Sequence, residues 1–188
     1  MPRYKFKRDS YLSREEVVDM IDRAEQPWLK AIIALLYLYG LRISEALKLK
    51  PQDLSIEDKK LLVVRVQLSK KRKKATPIEP THVLRVTMRK DLAEILRPLL
   101  HFWLKRESLH PDEPLWKWSR KTVWAKIKEL NPLCSPHFFR HSRLYRLAEL
   151  GASAAVLQDF AGWSDFRPAS SYIQGSGQLA RRFSDQID

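Results

Sequence analysis

Apolar side chains recur along this chain with two periods, and the changes of period mark its elements. Val17, Met20, Ile21 and Ala24 repeat at helical spacing behind Ser13–Glu16, an S-x-x-E capping box. Pro27 suits the first position of a second helix, where its missing N–H costs nothing. That helix is apolar all round from Ala31 to Tyr39, which predicts a buried central helix, ended by Gly40. From Leu61 to Leu68 (LLVVRVQL) a β-branched run replaces the helical period and reads as a strand. Its return partner has two candidates. Ala75–Glu79 is weakened by Pro77 and Pro80, whereas Val83–Met88 alternates, with Leu84, Val86 and Met88 on one face, and is preferred.

Helical period then resumes. Asp91 is placed to cap a helix with Leu92, Ile95, Leu96, Leu99, Phe102 and Trp103 inward and a kink at Pro98. Ser119 opens another, with Val123, Ile127 and Leu130 inward. Ser135 as N-cap and Pro136 at the first position start a third, with Leu144, Leu147 and Ala148 at core spacing and Gly151 stopping it. Ser153 caps a short helix with Val156, Leu157 and Phe160 inward, and Gly162 ends it. Pro168 begins a last helix that carries Tyr172 one turn on. Helices gathered around one strand pair predict an α+β fold, mainly helical with a small antiparallel sheet. No repeat and no Gly- or Ser-rich linker divides it. The expected organisation is a basic flexible arm at 1–11, one folded unit over 12–175, and a tail at 176–188, flexible at first and then weakly helical.

Charge sharpens the picture. Over 188 residues, 35 Lys and Arg stand against 22 Asp and Glu, for a net charge of +13 and a pI near 10. Such a balance favours a polyanionic partner, most simply nucleic acid. The single cysteine, Cys134, allows no internal disulfide and fits a reducing compartment, the cytoplasm; beside a helix cap it reads as packing, not as a nucleophile. No signal-peptide pattern is visible, and Ala31–Tyr39 is far too short an apolar run to span a bilayer, so no membrane partner is expected.

Candidate chemistry collects between Ser135 and Gln174. His137 and Arg140 form an H-x-x-R step on one face of a helix, a Gly162–Trp163 pair follows, and Tyr172 closes the stretch. Arg42 hangs off the end of the buried helix in G-L-R-I-S-E-A-L, and a salt bridge to Glu45 is its plainest structural use. The chain has no G-x-x-x-x-G-K-[ST], no G-x-G-x-x-G and no G-x-S-x-G, and its lone cysteine has no C-x-x-C partner. Arginines with a tyrosine suit a phosphodiester. Attack at phosphorus builds negative charge on the equatorial oxygens, which fixed guanidinium groups stabilise. The phenol, with a pKa of about 10, needs a base or a cationic field to act as nucleophile.

GLRISEAL, PHFFRHS and GWSDFRPASSY resemble the three signature boxes of the tyrosine recombinases (phage-type integrases), in order and spacing, over roughly residues 12–175. By that resemblance Arg42 stands as the first catalytic arginine with Glu45 its acidic neighbour, His137 and Arg140 match the H-x-x-R pair, and His141 the common second histidine. Trp163 takes a place held by histidine or tryptophan, and Tyr172 that of the nucleophile. A hairpin lysine is also implied; Lys70 is preferred, with Lys71 beside it. The implied mechanism is attack of the tyrosine on double-stranded DNA, leaving a 3′-phosphotyrosine and a free 5′-hydroxyl. Arg42 and Arg140 would clamp the phosphate, and Trp163 would donate to it. Lys70 would protonate the leaving oxygen, and His137 would act as proton acceptor or phosphate ligand. Neither metal nor other cofactor is implied, and self-association as a tetramer on DNA is. Family members usually carry an N-terminal helical domain, so residues 12–175 read as a catalytic domain, either a fragment or a single-domain member. A DNA-binding protein of this fold without cleavage, and a type IB topoisomerase activity, are the alternatives.

Overall fold

The sequence signals at the helix starts are realised side chain by side chain. In the computed structural model, which describes residues 11–67, 81–105 and 108–176, helix α1 (Arg14–Arg23) begins at Ser13 with both halves of the capping box formed. Helix α2 (Pro27–Leu38) has Pro27 at its first turn and buries nearly every side chain from Ala31 to Leu38. It lies between α4 (Ala93–Leu104) and α6 (Pro136–Glu149), which is why it is apolar on all sides. A single turn, α3 (Ile43–Ala46), follows. Helices α5 (Arg120–Leu130) and α7 (Ala154–Ala161) start at Ser119 and Ser153, each accepting a backbone N–H three residues on. Helix α8 (Arg167–Ser176) carries Pro168 as its second residue.

Three antiparallel strands make the sheet, in the order β1 (Leu54–Glu57), β2 (Leu61–Gln67), β3 (Thr81–Thr87). The preferred return strand is therefore the right one, starting two residues earlier than expected, and Ala75–Glu79 lies outside the described residues. The pairs Leu62–Val86, Val64–Leu84 and Val66–His82 share one face, because side chains alternate across a strand. All the apolar members of these pairs are buried. Strand β1 was not anticipated: four residues with one fully buried position carry too little pattern.

Other expectations are corrected. Asp91 does not cap α4, which is entered through a 3₁₀ turn (Lys90–Leu92); its carboxylate instead accepts from Arg89 Nε at 2.9 Å. Pro98, by contrast, lies inside a helix as expected, within α4. Ser135 occupies the N-cap of α6, but its side chain makes no capping bond. Val156, expected inward, is 52% exposed, because α7 has a neighbour on only part of its circumference. The arm at 1–10, Lys70 with the rest of the lysine run, and the tail beyond 176 lie outside the described residues.

Candidate active site

The site is built outward from the end of α2. Tyr39 donates its hydroxyl to the Leu62 carbonyl at 2.8 Å, pinning that end to β2. Gly40 then turns the chain at φ +59°, and a Cβ there would stand 2.8 Å from the Phe160 ring of α7. Conformation and space both require glycine. Two residues on, Arg42 sits at the N-cap of α3, its Nη1 donating to Glu45 Oε1 at 2.6 Å, while Glu45 Oε2 accepts the Arg42 backbone N–H at 2.7 Å. Glu45 is 2% exposed, so this carboxylate is a fixed internal support for the guanidinium. Trp116 Nε1 donates to the Ala46 carbonyl at 3.0 Å and steadies α3 from the other side. The salt bridge read from the sequence is present, and it orients Arg42 as well as neutralising Glu45.

Arg140 comes from the second turn of α6 and is only 5% exposed. It donates to the Gly40 carbonyl and, from Nη2, to the Ala161 carbonyl at 2.8 Å, so one side chain links the ends of α2 and α7. Two of its five N–H donors are used in this way, leaving the fork tethered with donors to spare. Burial and then the nearby Arg42 cation lower its pKa to about 10, which leaves it charged near neutrality. That interaction also reports that the two arginines, almost a hundred positions apart in sequence, share one field.

Gly162 caps α7 in the left-handed conformation, and Trp163 follows at once. The indole lies over the Arg140 guanidinium at 5.7 Å and stacks on the Tyr172 ring, with centroids 5.9 Å apart. Tyr172, from α8, is 4% exposed, and its hydroxyl hydrogen-bonds His141 Nδ1 at 2.5 Å. Burial pushes the phenol pKa well above its usual value, with the Arg140 charge acting in the opposite sense. The phenol is thus sheltered and protonated.

His137 and His141 meet edge to face with centroids 5.2 Å apart. His141 is held down to about 4, by burial first and then by His137 and Arg140. His137 keeps much of its surface in solvent, yet protein crowds it enough for burial, then Arg140 and Arg42, to lower its pKa, with Glu45 opposing. Thus Arg42, His137, Arg140, Trp163 and Tyr172 are drawn together, and Lys70 and Lys71 lie outside the described residues.

Two other side chains with nucleophilic atoms, Tyr145 and Cys134, are engaged elsewhere. Tyr145 stacks on Tyr11 at 4.0 Å, and the buried Cys134 thiol is pushed up to about 12 by burial. Among the described residues no cluster of His, Cys, Asp or Glu is arranged to hold a metal ion. One contact and one neighbour of the site escaped sequence reasoning, although His141 itself was picked out. The contact of His141 with Tyr172 joins two helices and leaves no trace in spacing. His82 stands on the inner face of β3 and feels Asp159, Glu45 and Arg140, with its pKa lowered by burial. Extending the Leu84–Val86–Met88 alternation backward by two would have found it.

Residues 10–178 match the profile described as the phage integrase family. The tyrosine recombinase XerD of Pasteurella multocida is 27% identical over 186 residues, covering 91% of this chain and 60% of that protein. A tyrosine recombinase of Thermosipho africanus is 28% identical over 181 residues, covering 94% of this chain and 61% of its own length. Among solved structures, the XerH site-specific recombinase bound to palindromic difH substrate, in a post-cleavage complex, superposes with a TM-score of 0.71. That match is 17% identical and covers 93% of this chain and 52% of the other. XerA recombinase gives 0.67 at 19% identity, over 100% and 66%. These structural likenesses speak to the fold: a mainly helical domain with a three-stranded antiparallel sheet. The chain spans about 60% of the length of these two curated relatives and about half that of the XerH chain. With the profile matched from Tyr11 through α8, the chain belongs to the phage integrase family.

Proposed function

We propose that residues 12–175 form the catalytic domain of a site-specific DNA recombinase or integrase that cleaves and rejoins double-stranded DNA through a 3′-phosphotyrosine intermediate. The observation that carries this reading is the gathering of a sheltered tyrosine, two tethered arginines, an indole and an imidazole from three separated stretches of chain. Family membership, the recombinases named above and the net charge of +13 support it. The Tyr172 oxygen attacks phosphorus and the bond to the 5′-oxygen breaks. Arg42 and Arg140 hold the non-bridging oxygens as charge builds on them, and Trp163 Nε1–H donates to the same group. His137 faces the phosphate as ligand or proton acceptor, and Lys70 supplies the proton to the leaving 5′-oxygen. Phosphodiester energy is stored in the protein–DNA bond, so these steps call for neither metal nor nucleotide. Residues 1–11 contribute basic charge toward DNA, and the working assembly is a tetramer on DNA in the cytoplasm.

A suicide DNA substrate, which loses the fragment bearing the 5′-hydroxyl, tests the reading. A covalent adduct is expected on a denaturing gel, and it should vanish in Tyr172→Phe, which removes one oxygen. Arg42→Ala or Arg140→Ala should slow its formation by about 10²–10³. Persistence of the adduct in the phenylalanine variant would move the nucleophile elsewhere.

A further inference from the structure

As the Tyr172 oxygen closes on phosphorus its proton must leave, and His141 Nδ1 stands 2.5 Å from that oxygen. The two rings lie nearly parallel, 27° apart, so the contact is supported by stacking as well as by the hydrogen bond. His137, one helical turn earlier, touches His141 edge-on and lies at the solvent-exposed mouth of the site. The H-x-x-R histidine is therefore at the entrance, while the next histidine is on the nucleophile.

We infer that His141 is the proton acceptor for Tyr172 in strand cleavage, leaving His137 to bind the phosphate; this rests on the recombinase reading above. The Tyr172 oxygen–phosphorus bond forms, the phosphorus–5′-oxygen bond breaks, and the phenolic proton passes to His141 Nδ1, making an imidazolium. The 5′-oxygen departs with the proton that the recombinase reading above assigns to Lys70. Rejoining runs the same transfers backward.

The electrostatics fit a base that is idle until substrate arrives. Among the charged and titratable neighbours of His141 are His137 and Arg140 on its own helix and Tyr172 from α8. Burial and the first two keep the imidazole neutral, and its Nδ1 lone pair faces the phenol only if the ring proton is on Nε2. In the empty site so weak a base leaves a phenol of raised pKa protonated. A phosphodiester seated between Arg42 and Arg140 brings a negative charge that offsets the Arg140 cation, and His141 becomes more basic. The phenol grows more acidic as its oxygen bonds phosphorus. Substrate binding itself arms the transfer.

Single-turnover cleavage of a substrate with a 5′-bridging phosphorothiolate isolates this step, because a thiolate leaves without needing a proton. His141→Gln should slow cleavage of both ordinary and sulfur-substituted DNA by about 10² or more and remove the acid limb of the pH–rate profile. His137→Gln should keep that limb. A limb that survives in His141→Gln, or disappears in His137→Gln, overturns the assignment. Nitrogen-15 NMR of the unaltered, full chain offers a second measurement that does not depend on a variant folding. The Nε2–H tautomer of His141 is expected, and the Nδ1–H tautomer overturns the inference. Failure of the unaltered chain to form any adduct would instead bring down the recombinase reading, and this inference with it.

Discussion

The two hydrophobic clusters of this domain are built very differently. The larger joins α1, α2, α4, α5 and the sheet through fully buried leucines, isoleucines and valines such as Leu29, Ile32, Ile33, Leu35, Leu36 and Val64. The smaller comprises Leu144, Ala148, Leu157, Ala161, Ala169 and Tyr172, so half of its buried members are alanines and its largest is the proposed nucleophile. Burying a leucine or isoleucine contributes about 1.5–3 kcal/mol, and an alanine has far less surface to offer. Arg42 hangs from the thick cluster, and Tyr172 rides on the thin one. The difference teaches how one small domain can hold the proposed phosphate clamp fixed while keeping the proposed nucleophile on a layer with less apolar surface to hold it shut.

The largest contrast should come from truncating one leucine in each cluster. Leu35→Ala opens a cavity enclosed on all sides by α2 and its neighbours and should cost about 3–5 kcal/mol in urea unfolding. Leu157→Ala, on a short helix with an exposed flank, can be relieved by α7 settling inward and should cost about 2 kcal/mol. Native-state hydrogen exchange sharpens the same point: α8 amides should exchange through openings of lower free energy than those of α2. Equal protection in both helices would break the comparison.

Next in size is Arg42→Ala, which leaves the buried Glu45 carboxylate with the residue-42 backbone N–H as its one hydrogen-bond donor among the described residues. The expected cost is about 3 kcal/mol, near the low end for removing one partner of a buried pair. Adding Glu45→Gln should recover much of it. Cleavage would stay impaired, which separates the structural use of Arg42 from its proposed chemical one.

Acid should loosen the thin cluster. His141 is near 4 in the fold and near its usual 6.5 when unfolded, so between those values the unfolded chain binds more protons. Its contribution is fully present above about pH 6.5 and is lost as the pH falls toward 4, amounting to about 2–3 kcal/mol. His137 acts in the same direction. Urea midpoints at pH 7 and pH 4.5 should therefore differ more in the unaltered protein than in His141→Gln; an equal drop in both would refute the assignment.

What was legible in the sequence follows the same division. Ser13, Ser119 and Ser153 announce their helices because capping is local, and the all-apolar face of α2 announces its burial. Fold class could be read for this reason, whereas the three boxes were read by their resemblance to the tyrosine recombinases. Val156 was misread because spacing gives a face but not whether a neighbour covers it. Asp91 was misread because Arg89, two residues away, competes for its carboxylate. The sheltering of Tyr172 by His141 and Trp163 depends on three elements meeting, and no local pattern carries that.

Gly40 is where the two clusters touch, and the last prediction concerns their contact. Its carbonyl accepts from Arg140, and its Cα faces Phe160, a ring that packs on the rims of both clusters. Gly40→Ala should therefore suffer twice. A left-handed φ of +59° costs an alanine about 1 kcal/mol whatever its surroundings. The added methyl, placed 2.8 Å from the Phe160 ring, must also push that ring and α7 away from α2, adding about 1 kcal/mol. A double-mutant cycle with Phe160→Leu separates the two parts, since a smaller, pliant side chain relieves the collision and leaves the backbone strain untouched. The expected coupling is about 1 kcal/mol in favour of the double variant. Cleavage should fall in Gly40→Ala more than stability explains, because displacing α7 shifts the Ala161 carbonyl and Trp163 that hold Arg140 in place. Coupling near zero, with cleavage unimpaired, would mean that the clusters are joined elsewhere and that this glycine serves only its turn.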